Sequence, residues 1–481
     1  MIDLLLINPG CNKAQTAGEL KPFLLPMPPI GIACLAAYVE KKGYDVACYD
    51  DFLNESDDKK LLKVLNHLQP AIIGLPTFTS DLMYRVNAIV QVIRRSLPYS
   101  KVVFGNIHSN VFAKDILENK NADFIVFNEG EETICELINH IKNDDTKYEG
   151  INGLGFIDNQ NNYTKTPPRK VIKDLDSLPF PAWHLLPLKR YELFPFGKVK
   201  EPATLISGSR GCPYKCSFCS LIVHGSNRRV RSAKSIADEM FYFNDKYGIK
   251  QFGFVDPVFP ITPKEGTQFC KELIKRKAKD RFVWITETRV DSLNREVIKL
   301  MGEAGCARIM FGVETPTQSS INKLQKDFKT DSVKNVIDWC REARVESLGF
   351  FMLGLPDNTE KDLEHTVKYA LDSGLDYAKF SVFTPFPGTK LFDQMKDNGD
   401  IDEKLVNCWE RYTMYPTKDN PPIYLSNHIS LDRLLHYLKM AHIKFYRRPK
   451  QIYMLLKYLT IKDYTRTLSY FAKGLFKNST D

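Results

Sequence analysis

No stretch of about 18 consecutive apolar residues occurs in this 481-residue chain, so the sequence offers no helix able to span a bilayer. The opening residues, MIDLLLINPG, lack a basic run ahead of the apolar stretch and carry an acid at Asp3, which makes them a first strand and not a signal peptide. Internal repeats and low-complexity tracts are missing as well. What is present is a globular composition, with 43% hydrophobic and 26% charged residues, 26 Gly and 27 Pro. That rules out disorder, collagen and a small disulfide scaffold, and the length suggests about three domains at roughly 150 residues each. The 11 cysteines are an odd number, and three of them fall within residues 212–219. Such usage points to a reducing compartment and to cysteine as ligand instead of staple.

Most of the chain has no net charge. Residues 439–477 hold ten Lys and Arg against the single acid Asp463, which leaves 57 basic and 57 acidic residues for everything else. This basic segment is interleaved with eight Tyr and Phe residues, a pattern that suits an anionic membrane surface, a nucleic-acid surface or a solvated helical face. The neutral body argues against nucleic acid as substrate.

Residues 1–157 alternate short β-branched or apolar runs with helical patterns. Strands are expected at Ile2–Ile7, Tyr44–Tyr49, Ala71–Leu75, Lys101–Phe104 and Phe124–Phe127, with helices at Ile30–Lys42, Lys59–His67, Asp81–Ser96, Val111–Asn119 and Glu131–Lys142. The βαβα rhythm predicts a doubly wound, Rossmann-like parallel sheet covered on both faces, with ligands outside the carboxyl ends of its strands. Those ends read NPG (8–10), PTFTS (76–80), GNIH (105–108) and NEGEE (128–132). A linker is expected over residues 158–202, with seven prolines between 167 and 202, packed down by Phe180, Trp183 and Phe194. A second βα series follows over 203–400, with strands at Thr204–Ser207, Gln251–Val255, Phe282–Thr286, Arg308–Val313, Ser347–Leu353 and Ala378–Phe383. Six such units predict a partial (βα)6 barrel, an open sheet being the alternative, with chemistry at the carboxyl ends of the strands. From about Ile401 to residue 481 the pattern is helical and basic, with an amphipathic run Leu431–Phe445 that Pro449 interrupts.

Directly after the first strand of the second series stands SRGCPYKCSFCS, which places Cys212, Cys216 and Cys219 on one loop as CxxxCxxC. Three thiolates can hold three irons of a 4Fe–4S cluster and leave the fourth open, where an amine and a carboxylate could chelate it. A zinc site completed by His224 is the structural alternative, but the spacing does not match the common zinc modules. A redox CxxC made of Cys216 and Cys219 would leave the third cysteine unexplained.

The loop, including Phe218 before its last cysteine, resembles the cluster loop of the radical S-adenosylmethionine (SAM) enzymes. The segments FGVETPTQ (311–318), GFFMLGLPDNTEKDLEHT (349–366) and FTPFPGTKL (383–391) resemble later parts of that superfamily's partial barrel. PPIGIACLAAYVEKKGYDV in the first sheet and LDSLPFPAW (175–183) resemble the cobalamin-binding domain and linker of one subfamily, which includes class B methyltransferases and the anaerobic magnesium-protoporphyrin cyclase. The resemblance spans roughly residues 1–400. It implies that Cys212, Cys216 and Cys219 ligate the cluster with SAM on the open iron, and that Phe218 lies near the adenine. Glu314 and Arg289 would meet the ribose and carboxylate of SAM, Gly354 and Pro356 would wall the adenine, and Asp256 would face the cofactor. A strand-end ion pair for Glu314 or Arg289, and a plain turn for Gly354, are the structural alternatives. Gly105, His108, Glu129 and Gly130 would border cobalamin, although the NEGEE loop could equally cap a helix starting at Glu131.

The implied chemistry is reductive cleavage of SAM to a 5′-deoxyadenosyl radical in a barrel mouth that excludes solvent, followed by cobalamin-dependent methylation of an unactivated carbon. A flavodoxin or ferredoxin would supply single electrons. The first 157 residues contain no DxHxxG, and NIHSNV (106–111) is the nearest approach, so no histidine ligand to cobalt is indicated. His108 alone is more often a loop residue than a ligand. Three other functions compete: a ring-forming or rearranging radical enzyme, a tRNA methylthiotransferase, and a sensor with a structural cluster. The methylthiotransferase is disfavoured because no short alternating strands follow the radical domain. The expected substrate is a small or lipid-like molecule. The enzyme is expected in the cytoplasm, with residues 439–477 touching the inner face of an anionic membrane.

Overall fold

A computed structural model describes residues 2–193 and 201–458. Phe194 and the part of the basic segment from residue 459 onward lie outside the described residues.

The first sheet is built from β1 (Leu4–Asn8), β2 (Val46–Asp50), β3 (Ile72–Pro76), β4 (Lys101–Gly105), β5 (Phe124–Val126), β6 (Leu154–Ile157) and β7 (Tyr163–Lys165), in the order β2-β1-β3-β4-β5-β6-β7. The pairings from β2 through β5 are parallel. Continuous apolar strands suit a sheet covered on both faces. Leu5, Ile7, Ile73 and Val102 point to one core, and Leu4, Leu6, Ile72 and Val103 to the other. The sequence reading missed β6 and β7, which join β5 through antiparallel pairs. They are four and three residues long, too short to show an alternation. The expected linker at 158–202 therefore begins only after Lys165. It is packed down, with Trp183 and Tyr191 almost fully buried in the core of the second domain.

The second domain comprises β8 (Ala203–Ile206), a small antiparallel pair of β9 (Ser209–Arg210) with β10 (Arg229–Val230), and then β11 (Gln251–Phe254), β12 (Val283–Thr288), β13 (Cys306–Glu314), β14 (Glu346–Leu353) and β15 (Tyr377–Val382). Six of these form one all-parallel sheet in the order β15-β14-β13-β12-β11-β8. Alternate residues divide its two faces. Phe252, Trp284, Ile309, Phe351 and Phe380 bury against the helices, whereas Leu205, Ile285 and Ala307, and beyond them Met310, Leu348 and Tyr377, line the concave face. At the closed end a buried Arg308–Glu346 pair (2.8 Å) lies on the Tyr377 ring.

Helix was expected from about Ile401, but it begins at Leu431. Residues 401–430 hold only single 3₁₀ turns at Glu403–Leu405 and Trp409–Arg411. Pro416, Pro421 and Pro422 explain the delay, since each removes a helical donor. The helices Leu431–Tyr446 and Pro449–Tyr458 then follow. Among the described residues no helix is long and apolar enough to cross a membrane.

Candidate functional site

The cysteine loop leaves the carboxyl end of β8 and is held from several sides. Asp256, just past β11, accepts from the Gly208 amide (2.8 Å) and the Ser209 hydroxyl (2.5 Å), which fixes the turn into β9. Burial raises the Asp256 carboxyl to about 6, against the pull of those two hydrogen bonds. Both of its oxygens are thus engaged within the protein, where they anchor the loop. Gly211 has φ +84°, and a side chain there would place Cβ 2.6 Å from the Asn227 carbonyl, so the residue before Cys212 must be glycine. Ser217, between the second and third cysteines, donates its amide to the Leu324 carbonyl (3.0 Å) and accepts the Leu391 amide (2.8 Å).

Cys212 is buried, Cys216 half-buried and Cys219 exposed. Although Cys219 is exposed as a residue, the protein packed around its thiol raises it to about 11, with the charges of Cys216 and Cys212 adding to the rise and Lys326 opposing it. Burial likewise raises Cys216, opposed by Lys326 and Arg289. The Arg289 guanidinium stacks on Tyr214 at 3.9 Å and brings Nη1 to 3.9 Å from Cys216 Sγ. Its other donors go to Asp291 (2.8 Å each) and to the Lys326 carbonyl. Three thiols with two cations beside them form a donor set suited to an iron–sulfur cluster, because bound metal deprotonates thiols outright. Among the described residues no three His, Cys, Asp or Glu groups gather on a single metal ion.

Glu314 ends β13 with φ +63°, after a register shift against β14 between Gly312 and Glu314. Bulges of this kind re-aim side chains beside active sites. Its carboxylate meets Lys326 Nζ at 2.6 Å, and the same ammonium donates to the Gly312 carbonyl at 2.8 Å. Lys326 also lies 5.9 Å from the Phe218 ring. Sequence reasoning missed Lys326, which no spacing marks, and it missed Glu287. The latter stands on β12 two residues after Ile285, on the concave face, where burial and then the Glu314 charge push its carboxyl up to about 7.

The expected cobalamin border is more internal than foreseen. His108 is 3% exposed, with Nδ1 2.9 Å from Ser80 Oγ and its ring against Phe112 and Trp409 at 4.8 and 4.7 Å. Burial lowers its pKa to about 3, so it is a neutral core residue of its loop. The Gly105 carbonyl accepts both the amide and the hydroxyl of Thr77 at 2.8 Å. Glu129 faces the second domain, taking Arg229 at 2.5 Å, His224 at 3.3 Å and Arg210 at 3.6 Å. Burial alone would raise this carboxyl, but bonds from His224 and Arg229 and the charge of Arg210 hold it well below the usual range. Glu129 therefore ties the two domains together. His224, the ligand a zinc site would need, is occupied by it, and Gly130 precedes a helix that starts at Glu131. Gly354 has φ +77°, and its missing side chain faces Leu434 at 3.2 Å, so it serves a turn and the close approach of a C-terminal helix. Two observations suit a corrin at the carboxyl edge of the first sheet. Phe78, in the loop after β3, is 41% exposed. Gly388, in the loop after β15, lets Val111 of the first domain and Ile222 of the cysteine loop come within 2.8 and 3.0 Å of the Cβ it lacks.

Comparison with known proteins agrees with this geometry. The radical SAM superfamily matches residues 206–370, and the B12 binding domain matches residues 21–138. A protein of Pyrococcus horikoshii named as an uncharacterized methyltransferase is 30% identical over 428 residues, covering 88% of each chain. The anaerobic magnesium-protoporphyrin IX monomethyl ester cyclase of Cereibacter sphaeroides is 31% identical over 382 residues, covering 78% of this chain and 61% of the cyclase. In fold, the chain is similar to the radical SAM methyltransferase TsrM of Kitasatospora setae, solved with cobalamin and a 4Fe–4S cluster bound. The TM-score is 0.70 at 17% identity, over 93% of this chain and 89% of that one.

Proposed function

Since the chain belongs to the radical SAM superfamily and carries a B12-binding domain ahead of the radical domain, we propose that it is a cobalamin-dependent radical SAM methyltransferase acting on carbon. The observation that carries this reading is the three-thiol loop at the carboxyl end of β8, against which the first sheet's carboxyl edge is packed through Gly388 and Val111. When bound, the cluster supplies the electron that cleaves SAM, and cobalamin supplies a transferable methyl group.

In this reading Cys212, Cys216 and Cys219 hold the cluster. Arg289 and Lys326 balance the thiolate charge, and Glu314, held by Lys326, is aimed toward the ribose of SAM. Phe218 offers an apolar surface to the adenine. Glu287, with its carboxyl raised to about 7, can hold or release a proton at the concave face. Leu205, Ile285, Met310 and Leu348 keep water from the closed end.

The test is anaerobic reconstitution with iron, sulfide, SAM and hydroxocobalamin. The expected result is reductant-dependent formation of 5′-deoxyadenosine, a corrin spectrum that stays with the protein after desalting, and no SAM cleavage by Cys216→Ala. Protein that takes up zinc, or stays colourless with iron, would overturn the reading. The 31% identity to a cyclase favours ring formation as the second reading. Product mass separates the two, as methylation adds one methylene unit and ring closure removes hydrogen.

The enzyme would act in the cytoplasm on a small or lipid-like substrate, with the basic segment toward an anionic membrane. Ile452, Tyr453 and Leu456, 43%, 64% and 72% exposed beside Lys457, support that orientation. Changing these three to Ser is expected to abolish sedimentation with anionic vesicles. Truncation from residue 439 would be a poor test, because it removes the buried Ala441 and Phe445.

A further inference from the structure

We propose that the substrate is a carboxylic acid with an apolar body, and that Lys379, on the inner wall of the second domain's sheet, binds its carboxylate. The inference rests on reading the concave face as the substrate chamber of the proposed reaction. That face changes character along the strands. At its floor Met310, Leu348 and Tyr377 are buried against one another. Two residues further toward the carboxyl ends, Phe350 on β14 and Lys379 on β15 stand opposite each other in register. Phe350 is half-buried and Lys379 exposed. Their chain neighbours Phe351 and Phe380 are fully buried on the other face, so the exposure belongs to the concave side. The Lys379 ammonium lies 5.9 Å from the ring of Phe350 and 5.9 Å from that of Tyr415. Tyr415 comes from a segment laid along the edge of β15, where Val382 donates its amide to the Met414 carbonyl at 2.9 Å. The Tyr415 carbonyl in turn lies 3.0 Å from the Cβ that Gly18 of the first domain lacks, so the first domain packs directly behind this part of the wall.

Among the described residues the Lys379 side chain has no ion pair and no hydrogen bond. The other charges of the chamber are matched or weakened. Lys326 holds Glu314 at 2.6 Å, and at the closed end Arg308 holds Glu346 at 2.8 Å. Glu287, on β12, is an acid that the Lys379 charge reaches, but burial and the Glu314 charge push its carboxyl up to about 7, which makes it a poor counter-ion. Behind β15, burial lowers His442 to about 4, so that side chain is neutral. An ammonium in a chamber that sheds water on closing needs a counter-charge, because an unpaired buried charge is costly. One free lysine matches the single negative charge of a carboxylate better than the double charge of a phosphate monoester. Phe350, Tyr415 and the half-buried Met352 offer the apolar surface beside it. SAM is not the bearer of this carboxylate. In the proposed reading its amine and carboxylate occupy the open iron, beside the loop that leaves β8, where the cations are Lys326 and Arg289. The strands β8 and β15 are the two opposite edges of the sheet.

The experiment is anaerobic equilibrium dialysis of the reconstituted protein, with SAM and cobalamin present, against matched probes. These are 2-naphthoate and octanoate, their neutral amides, and 2-naphthyl phosphate. At least one acid is expected to bind at least about tenfold more tightly than its amide, the scale of one charge-assisted hydrogen bond. Lys379→Met should erase that difference while leaving amide binding unchanged, and Lys379→Arg should keep it. Lys59→Met, on the remote helix Asp58–Leu68, should bind all the probes as wild type does. The proposal is overturned if neither acid is preferred by the wild-type protein, or if Lys379→Met keeps the preference. Tighter binding of 2-naphthyl phosphate than of 2-naphthoate would overturn the assignment to a carboxylate. Formation of 5′-deoxyadenosine without any probe should be the same in Lys379→Met as in wild type, and its loss would place Lys379 on SAM and equally overturn the proposal. Failure of the wild-type protein to cleave SAM would instead refute the radical reading, whatever the dialysis shows.

Discussion

At the scale of single residues, Lys326 bears most directly on the site. It pairs with Glu314 where both are at most 7% exposed, and its charge reaches Cys216 and Cys219. Removing one partner of a buried pair strands the other charge, which costs about 3–5 kcal/mol. Lys326→Met is therefore expected to lower stability by about that much in urea unfolding, and to reduce iron incorporation. Adding Glu314→Met should recover part of the loss, giving a clear non-additivity in the double-mutant cycle. Asp256 and His108 illustrate the opposite outcome. Both are residue types that often bind ligands and both stand at strand ends, yet each is turned inward, one onto Ser209 and Gly208 and the other onto Ser80, Phe112 and Trp409. A strand position specifies where a side chain starts, and the packing of neighbouring loops decides where it points.

At the scale of elements, the cysteine loop depends on its glycine as much as on its cysteines. Gly211→Ala would force a side chain onto a left-handed residue and against the Asn227 carbonyl. Strain of this kind costs about 1–3 kcal/mol. We expect that variant to fold, as judged by circular dichroism, but to retain less iron after desalting than wild type. Gly388 is the counterpart in the loop after β15, where a side chain would push the first domain's Val111 away from Ile222. The strands of both sheets were legible to within a few residues because their apolar runs are long and their turns are polar. The pair β6 and β7 was not, since neither has enough residues to display a period.

At the scale of the whole molecule, the two sheets face each other across a seam of charge. Glu129 of the first domain meets Arg229, Arg210 and His224 of the second, and Arg210 also binds Glu131 at 2.5 Å. The Glu129 carboxyl is depressed in the folded protein. Its contribution is therefore complete above the unfolded value of about 4.3 and is lost as pH falls through the folded one. Glu129→Gln is expected to lower Tm by several degrees at pH 7, and the gap from wild type should begin to narrow only once pH falls below about 4.3. The order of domains, the six parallel βα units and the cluster motif were determined by the sequence alone, because each rests on local periodicity or on three cysteines within eight residues. Only the tertiary structure decided that Lys326 and Glu287 join the site and that Glu129 pairs with Arg229, Arg210 and His224 of the other domain. These are contacts between segments tens of residues apart, set by how loops close on one another, and no spacing along the chain encodes them.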